Sequence, residues 1–356
     1  MTRRVLVARL DSLGDVVVSG PAIRAVSASA EVTLLCGPAG EPAARALPGV
    51  HDVLVWDCPW IANPAPAATP ENIGELTALL GDRMPDEAVI LTSFHQSPLP
   101  LALVLRLAGV ARITGASVDY PGSLLDVRLR PGEDLEEDQP EPLRALQIAA
   151  AAGYPLPPDD DGRLHVRYAE DVSDLIGDDG RPFVVVHPGS SAPSRTWPAG
   201  HFRDAVRLLA GKGMRVVVTG GRQERELTAY VAGELATDLG GRTDVGTVCG
   251  VLARAAAVIV GNTGPAHLAA AVGTPVVSLF SPVVPAARWA PYGVPVELLG
   301  DQGAACRATR ARDCPIPGHP CLAGVTPAQA VKACLRLAAP RLAGSPRVTE
   351  ENGQLI

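Results

Sequence analysis

Three short segments place polar residues and glycines directly after apolar runs, where a parallel sheet presents its ligand-binding loops. The first is Asp11-Ser12-Leu13-Gly14-Asp15. Gly14 lets a ligand approach the backbone closely, and a carboxylate at Asp15 can take a proton from a hydroxyl as a general base. Asp is equally at home capping the helix that follows, so both readings stay open at this point. The second segment is His187-Pro188-Gly189-Ser190-Ser191, with Arg195-Thr196-Trp197-Pro198 close behind. Hydroxyls and backbone amides in such a turn suit phosphate oxygens, and Arg195 would add a fork-shaped cation. Its plain alternative is an ordinary strand-to-helix loop with a surface arginine. The third is Gly261-Asn262-Thr263-Gly264-Pro265-Ala266-His267. Pro265 fits a first helical position, and free amides around Thr263 and Gly264 would meet an anion at the positive end of that helix. His267 reads either as a ligand contact or as a satisfied, half-buried histidine.

Two further clusters carry weaker signals. Cys306, Cys314, His319 and Cys321 are the donor types of a tetrahedral zinc site. Their spacing matches no common zinc knuckle, which favours a Pro/Gly-rich loop whose cysteines have no chemical role. Asp159-Asp160-Asp161 superficially matches an Asp-x-Asp metal site, but it follows two prolines in a linker and reads as a solvated charge run. No metal is therefore assigned. The chain has no G-x-G-x-x-G after either half's first strand, no P-loop, no His-Glu-x-x-His and no G-x-S-x-G. Dehydrogenase, kinase and hydrolase readings weaken together.

The elements that would position these residues are short β-branched runs alternating with Ala/Leu/Arg-rich helical stretches, the pattern of βαβ units. In the first half, strands are expected over 4–10, 31–36, 53–56, 88–92 and 112–114, and helices over 19–29, 41–47, 99–108 and 142–152. Residues 133–141 form an acidic loop, and the Pro/Asp-rich stretch 155–162 reads as the linker. A second series follows, with strands over 183–187, 215–219, 257–261 and 276–280 and helices over 201–211, 224–235, 245–255 and 265–272. The helix over 326–342 closes the chain. Two α/β Rossmann-like domains facing one another are expected, over 1–160 and 161–325, with a closing helix and tail over 326–356 that returns toward the first domain.

Composition narrows the function classes. Hydrophobic residues are 47% and charged residues 19% of the 356-residue chain, enough for real cores and against disorder. Aromatics are 4%, the net charge is −7, and Lys212 and Lys332 are the sole lysines, so no nucleic-acid footprint is present. Seven cysteines do not make a disulfide scaffold in a chain of this length. No signal peptide or spanning segment is read, and a cytoplasmic protein is expected, with peripheral membrane contact left open.

Taken in order, these segments resemble glycosyltransferase family 9, the ADP-heptose heptosyltransferases of the lipopolysaccharide core. The matching pieces are Leu13-Gly14-Asp15-Val16, His187-Pro188-Gly189-Ser190 with Arg195-Thr196-Trp197-Pro198, and Gly220-Gly221 before Glu224. Gly241-Arg242-Thr243, Asn262-Thr263-Gly264-Pro265-Ala266-His267 and Phe280-Ser281-Pro282 complete the set. The resemblance implies a GT-B fold with a deep interdomain cleft and an inverting, metal-independent transfer of a sugar from an ADP-activated donor. The sugar would be heptose, and the acceptor a glycan, a glycolipid or a secondary metabolite. It places Asp15 as general base and Arg195, beside Ser190 and Ser191, on the donor diphosphate. Glu224 would hold the nucleotide ribose and Thr243 the adenine. Gly14, Asn262, Thr263, Gly264 and His267 would complete the donor site. Asn262 stands where the best-known members carry Asp, which bears on donor-sugar identity. Acceptor candidates in the first half, Phe94-His95-Gln96 and residues 56–60, rest on position alone. No cofactor is implied. The rival readings are a nucleotide-sugar epimerase on the same fold and a non-catalytic nucleotide-sugar binding protein.

Overall fold

The computed structural model describes residues 2–177 and 180–343. Twelve strands are found among them: β1 (Arg4–Arg9), β2 (Glu31–Cys36), β3 (Val50–Val55), β4 (Glu87–Ile90), β5 (Arg112–Ala116) and β6 (Val127–Leu129) in the first half. The second half holds β7 (Phe183–His187), β8 (Arg215–Val218), β9 (Thr237–Asp238), β10 (Val258–Gly261), β11 (Val276–Leu279) and β12 (Val296–Leu299). They form two parallel six-stranded sheets, ordered β3-β2-β1-β4-β5-β6 and β9-β8-β7-β10-β11-β12. Each is the doubly wound order, whose switch point lies between β1 and β4 in one sheet and between β7 and β10 in the other.

The apolar strands alternate between layers, as a side-chain period of two requires. Val5 and Val7 of β1 enter a central core that continues into the second half through Val185, Val258 and Ala266. Leu6 and Ala8 face a separate outer layer with Trp56, Leu76 and Leu105. On the far side of the second sheet, Val184 and Val186 pack with Trp197, Phe202 and Phe280. The two halves therefore share one apolar layer and keep one each. No helix among the described residues is long and apolar enough to cross a membrane.

Several expectations need correction. The helix expected over 19–29 is Gly20–Ser27, and a further helix, Leu13–Val18, precedes it without merging because Pro21 has no N–H to continue the hydrogen-bond ladder. A helix at Pro70–Leu80 went unread, although Thr69 caps it through Asn72 and Pro70 opens it. The closing helix, Pro327–Ala343, packs on its own half: Ala330, Val331, Cys334 and Ala338 join the layer of Trp197 and Phe202 rather than returning to the first sheet. The tail beyond it lies outside the described residues. The acidic run stays exposed at Asp159 and Asp161 but is pinned at Asp160, both of whose carboxylate oxygens Arg24 grips at 2.6 and 2.7 Å while it also reaches the Arg163 carbonyl.

The halves meet most closely where two helix starts touch. A Cβ on Gly14 would lie 3.0 Å from His267 Cδ2 and 3.3 Å from Gly264 Cα, and a Cβ on Gly264 would lie 2.9 Å from Leu13 Cδ2. In an isolated helix Gly14→Ala would stabilise by about 0.5–1 kcal/mol. Here overpacking against backbone should win, for a net loss of about 1–3 kcal/mol. Denaturant unfolding of the variant checks this, and a gain in stability would refute the close-approach reading.

Candidate active site

One cavity of about 470 Å³ opens at the two switch points. Its first-half wall comes from the turn after β1, with Asp11, Ser12, Gly14 and Asp15, and from Ser93, Phe94 and His95 after β4. The second half supplies Arg195, Asn262, Thr263, Gly264 and His267, with Val284, Trp289, Thr309 and Arg310.

Asp15 caps its own helix and also lines the cavity. It is the third residue of the Leu13–Val18 helix and reaches back to its N-cap, accepting from Ser12 N at 3.0 Å and Ser12 Oγ at 2.6 Å through Oδ2. Its other oxygen, Oδ1, accepts from Arg9 Nη2 at 3.2 Å. The carboxylate stays partly open to the cleft, with 17% of its side chain exposed.

Arg195 ends the short Pro193–Arg195 turn, and burial pulls its pKa down while Asp15 across the cleft acts to raise it. The residue before it fixes that turn. Ser194 donates from N to Arg312 O at 3.0 Å and from Oγ to Ala311 O at 2.6 Å, and its carbonyl meets His319 Nε2 at 3.0 Å. The cysteine-bearing loop is thus a buttress for Arg195. His319 is engaged with Ser194, Cys314 Sγ donates to Ile316 O at 3.3 Å, and Cys306 and Cys321 are buried. Among the described residues no group of three or more His, Cys, Asp or Glu could hold a metal, so the zinc set is not assembled.

The Gly264–Ala271 helix aims its start at the cavity, as the Thr263-Gly264-Pro265 spacing predicts. Around it several buried polar atoms find no protein partner among the described residues: both side-chain atoms of Asn262, His267 Nδ1 and Arg195 Nε. Burial pushes His267 down to about 4, so the ring is neutral near pH 7. All three residues line the cavity, and polar side chains at a helix start suit an anionic, hydroxyl-rich ligand.

The remaining donor-site candidates lie beside this cavity rather than in it. Glu224 Oε2 accepts from Gly221 N at 2.7 Å, and its carboxylate covers Gly189, where any Cβ would collide at 2.0 Å. The turn leading to Thr243 is tied alongside through Gly241 N to Gly220 O at 2.8 Å. Ser190 exchanges hydrogen bonds with Ala192 at 3.3 Å, and Ser191 is exposed. Ser190, Ser191, Glu224 and Thr243 do not line the cavity. Of the acceptor candidates, Phe94 and His95 line it, Gln96 hydrogen-bonds Asp11, and Trp56 and Trp60 pack on each other outside it. Sequence reasoning gave no role to Arg9, Ser93, Trp289, Thr309 or Arg310. Arg9 had a readable signal: a charged residue ending an otherwise apolar buried strand must find partners.

The glycosyltransferase family 9 (heptosyltransferase) model matches residues 122–319. The chain belongs to glycosyltransferase family 9. Lipopolysaccharide heptosyltransferase 1 of Pseudomonas aeruginosa is 27% identical over 310 residues, 79% of each chain. Lipooligosaccharide heptosyltransferase 2 of Haemophilus influenzae is 28% identical over 119 residues, a match that spans 34% of that protein and 31% of this one. In fold, this family 9 protein is similar to E. coli ADP-heptose lipopolysaccharide heptosyltransferase II, with a TM-score of 0.72 at 20% identity, covering 95% of this chain and 99% of that one. The two facing sheets are thus those of the GT-B heptosyltransferases.

The depressed His267 gives a pH test of this site. Between its ordinary 6.5 and about 4, the unfolded chain binds a proton at this position before the native one does. Its contribution to stability is therefore whole above about pH 6.5 and falls as pH drops toward 4, by on the order of 3 kcal/mol. His267→Gln should flatten that part of the acid decline in urea unfolding. An unchanged slope would show that His267 does not titrate as a buried neutral ring.

Proposed function

We propose that this family 9 glycosyltransferase moves a heptose from an ADP-activated donor to a hydroxyl of a glycan or glycolipid, with inversion at the anomeric carbon. The observation that carries the reading is convergence: Asp15 from one half, and Arg195 with the Thr263–Gly264 helix start from the other, share one cavity. Asp15 takes the acceptor proton as the hydroxyl oxygen attacks the anomeric carbon. The bond to the diphosphate breaks on the opposite face, and nucleoside diphosphate leaves toward Arg195 and the helix amides. Preorganised donors at that developing charge are the larger catalytic contribution. Asn262 and neutral His267 are placed to bind sugar hydroxyls or phosphate oxygens. The ribose and adenine extend to Glu224 and Thr243, which explains why those residues sit beside the cavity.

Leaving-group charge is met here by Arg195 and a helix terminus, so the reaction is proposed to need no divalent metal. Contact with the inner face of a membrane would follow from a lipid-borne acceptor.

ADP should bind more tightly than UDP or GDP in calorimetric titrations, and equal or tighter UDP binding would remove the ADP-sugar claim. With ADP-heptose and a heptose-free lipopolysaccharide core, Asp15→Asn should lower turnover by roughly 10²–10⁴-fold. ADP affinity should stay near that of the unaltered protein. Near-normal turnover in that variant would overturn the general-base role. EDTA should leave the rate unchanged, and loss restored by magnesium or manganese would show that the diphosphate cradle has been misread.

A further inference from the structure

We propose that Arg9 is the positioning residue for Asp15, and that it does so as the hub of a buried carboxylate cluster whose third member, Glu141, never touches the cleft. This rests on the general-base reading of Asp15. Arg9 ends β1 and is 1% exposed beneath the cavity floor. Its nitrogens reach four side chains. Nη2 donates to Asp15 Oδ1 at 3.2 Å and Ser93 Oγ at 2.9 Å, and Nη1 donates to Glu141 Oε2 at 3.4 Å. Nε lies 2.9 Å from Asp11 Oδ2, a close ion pair without a well-aligned hydrogen bond.

The effect is to fix the plane of Asp15. Ser12 holds Oδ2 and Arg9 holds Oδ1, so the carboxylate has no free rotation toward solvent. A base must sit within hydrogen-bond reach of the proton it takes, and an error near 1 Å costs about 10²-fold. Arg9 is held in turn. Ser93 donates to Asp11 Oδ2 at 3.3 Å, Gln96 donates to Asp11 Oδ1, and the Trp289 ring of the other half lies 6.0 Å from the guanidinium carbon. A fork-shaped guanidinium can serve Asp11, Asp15 and Glu141 together, which a lysine ammonium cannot do at these separations.

The cluster also sets charge. Three carboxylates surround one cation, and burial pushes Asp11 and Glu141 up while Arg9 pulls them down. Arg144 adds a second cation near Glu141; across the cleft Arg195 and His267 face Asp15, and His95 lies beside it. Neutralising Glu141 leaves more of the Arg9 charge for Asp15. Replacing Arg9 by lysine weakens the hold and does the reverse.

The experiment measures ADP release from ADP-heptose, with a heptose-free lipopolysaccharide core as acceptor, against pH. Glu141→Gln and Arg9→Lys are compared with the unaltered protein. Each should lower kcat by about 10–10²-fold with the donor KM and ADP affinity within about threefold, as expected for misplaced chemistry rather than lost binding. The acid limb of the kcat/KM profile should move to lower pH in Glu141→Gln and to higher pH in Arg9→Lys. If Arg9→Lys does not fold, Glu141→Gln alone carries the test. A kcat loss that only tracks a loss of folded protein, with the acid limb unmoved, would reduce Arg9 to a structural ion pair. Asp15→Asn separates the premises: should it turn over normally, the general-base reading fails whatever Arg9 does.

Discussion

The site depends on two helices starting at almost the same point in space. Gly14 and Gly264 let the Leu13–Val18 and Gly264–Ala271 helices approach until a methyl group on either would press into the other. Each helix follows the first strand on its side of a switch point, β1 in one sheet and β10 in the other. Both therefore bring the positive end of a helix to one place. The Asp15 carboxylate and a departing anion can be served from that place at once. A bulkier residue at either glycine would press Asp15's helix away from the start of the Gly264–Ala271 helix.

Around that contact the fold handles an expensive buried charge. Arg9 sits at the buried end of a strand whose other buried side chains are apolar, and stranding it without partners would cost several kcal/mol. Two of its partners come from the adjacent turn, but Glu141 arrives from 132 residues further along the chain. The same acidic segment reaches outward too. Glu137 and Asp138 bind Arg288 of the second half at 2.8 and 3.3 Å, while Arg288 stacks over Phe94 at 4.1 Å. One segment thus anchors the floor of the cleft and clasps the two halves across its mouth.

What was legible in the sequence follows the same physics. Asp15, Arg195 and the Asn262–His267 stretch could be read because glycine, proline and a polar residue just after a buried strand leave few structural options. The edge strands β6, β9 and β12 could not be read, although β3 was. β9 is two residues long, and β12 is half-buried along its whole length, so neither leaves a hydrophobic run to find. The acidic segment 133–141 is the loop that its composition predicts, with Glu141 opening the next helix. What buries Glu141 is a cation remote in sequence. In the triple aspartate, Asp159 and Asp161 are exposed as a charge run should be, and Asp160 alone is held by Arg24, 136 residues before it. Spacing shows local geometry, whereas long-range ion pairs leave no periodic trace.

The cleft is also where the fold leaves polar groups unmatched. Other buried side-chain atoms are unmatched too, among them Arg24 Nη1, Asn72 Oδ1 and Arg106 Nε, but around the cleft four such atoms gather on three residues. Asn262, His267 Nδ1 and Arg195 Nε are not answered by protein. Each such group costs roughly 1–3 kcal/mol relative to a satisfied one, a large fraction of a typical domain's stability. An apolar residue at position 262 or 267 would remove that cost, so stability alone does not account for the polar choice. Binding does. A site that rejects a substrate lacking one hydroxyl or one phosphate oxygen must hold buried groups that only the right ligand can pair. The unmatched atoms of the cleft lie around the start of one helix, opposite Asp15, where sugar and diphosphate would meet.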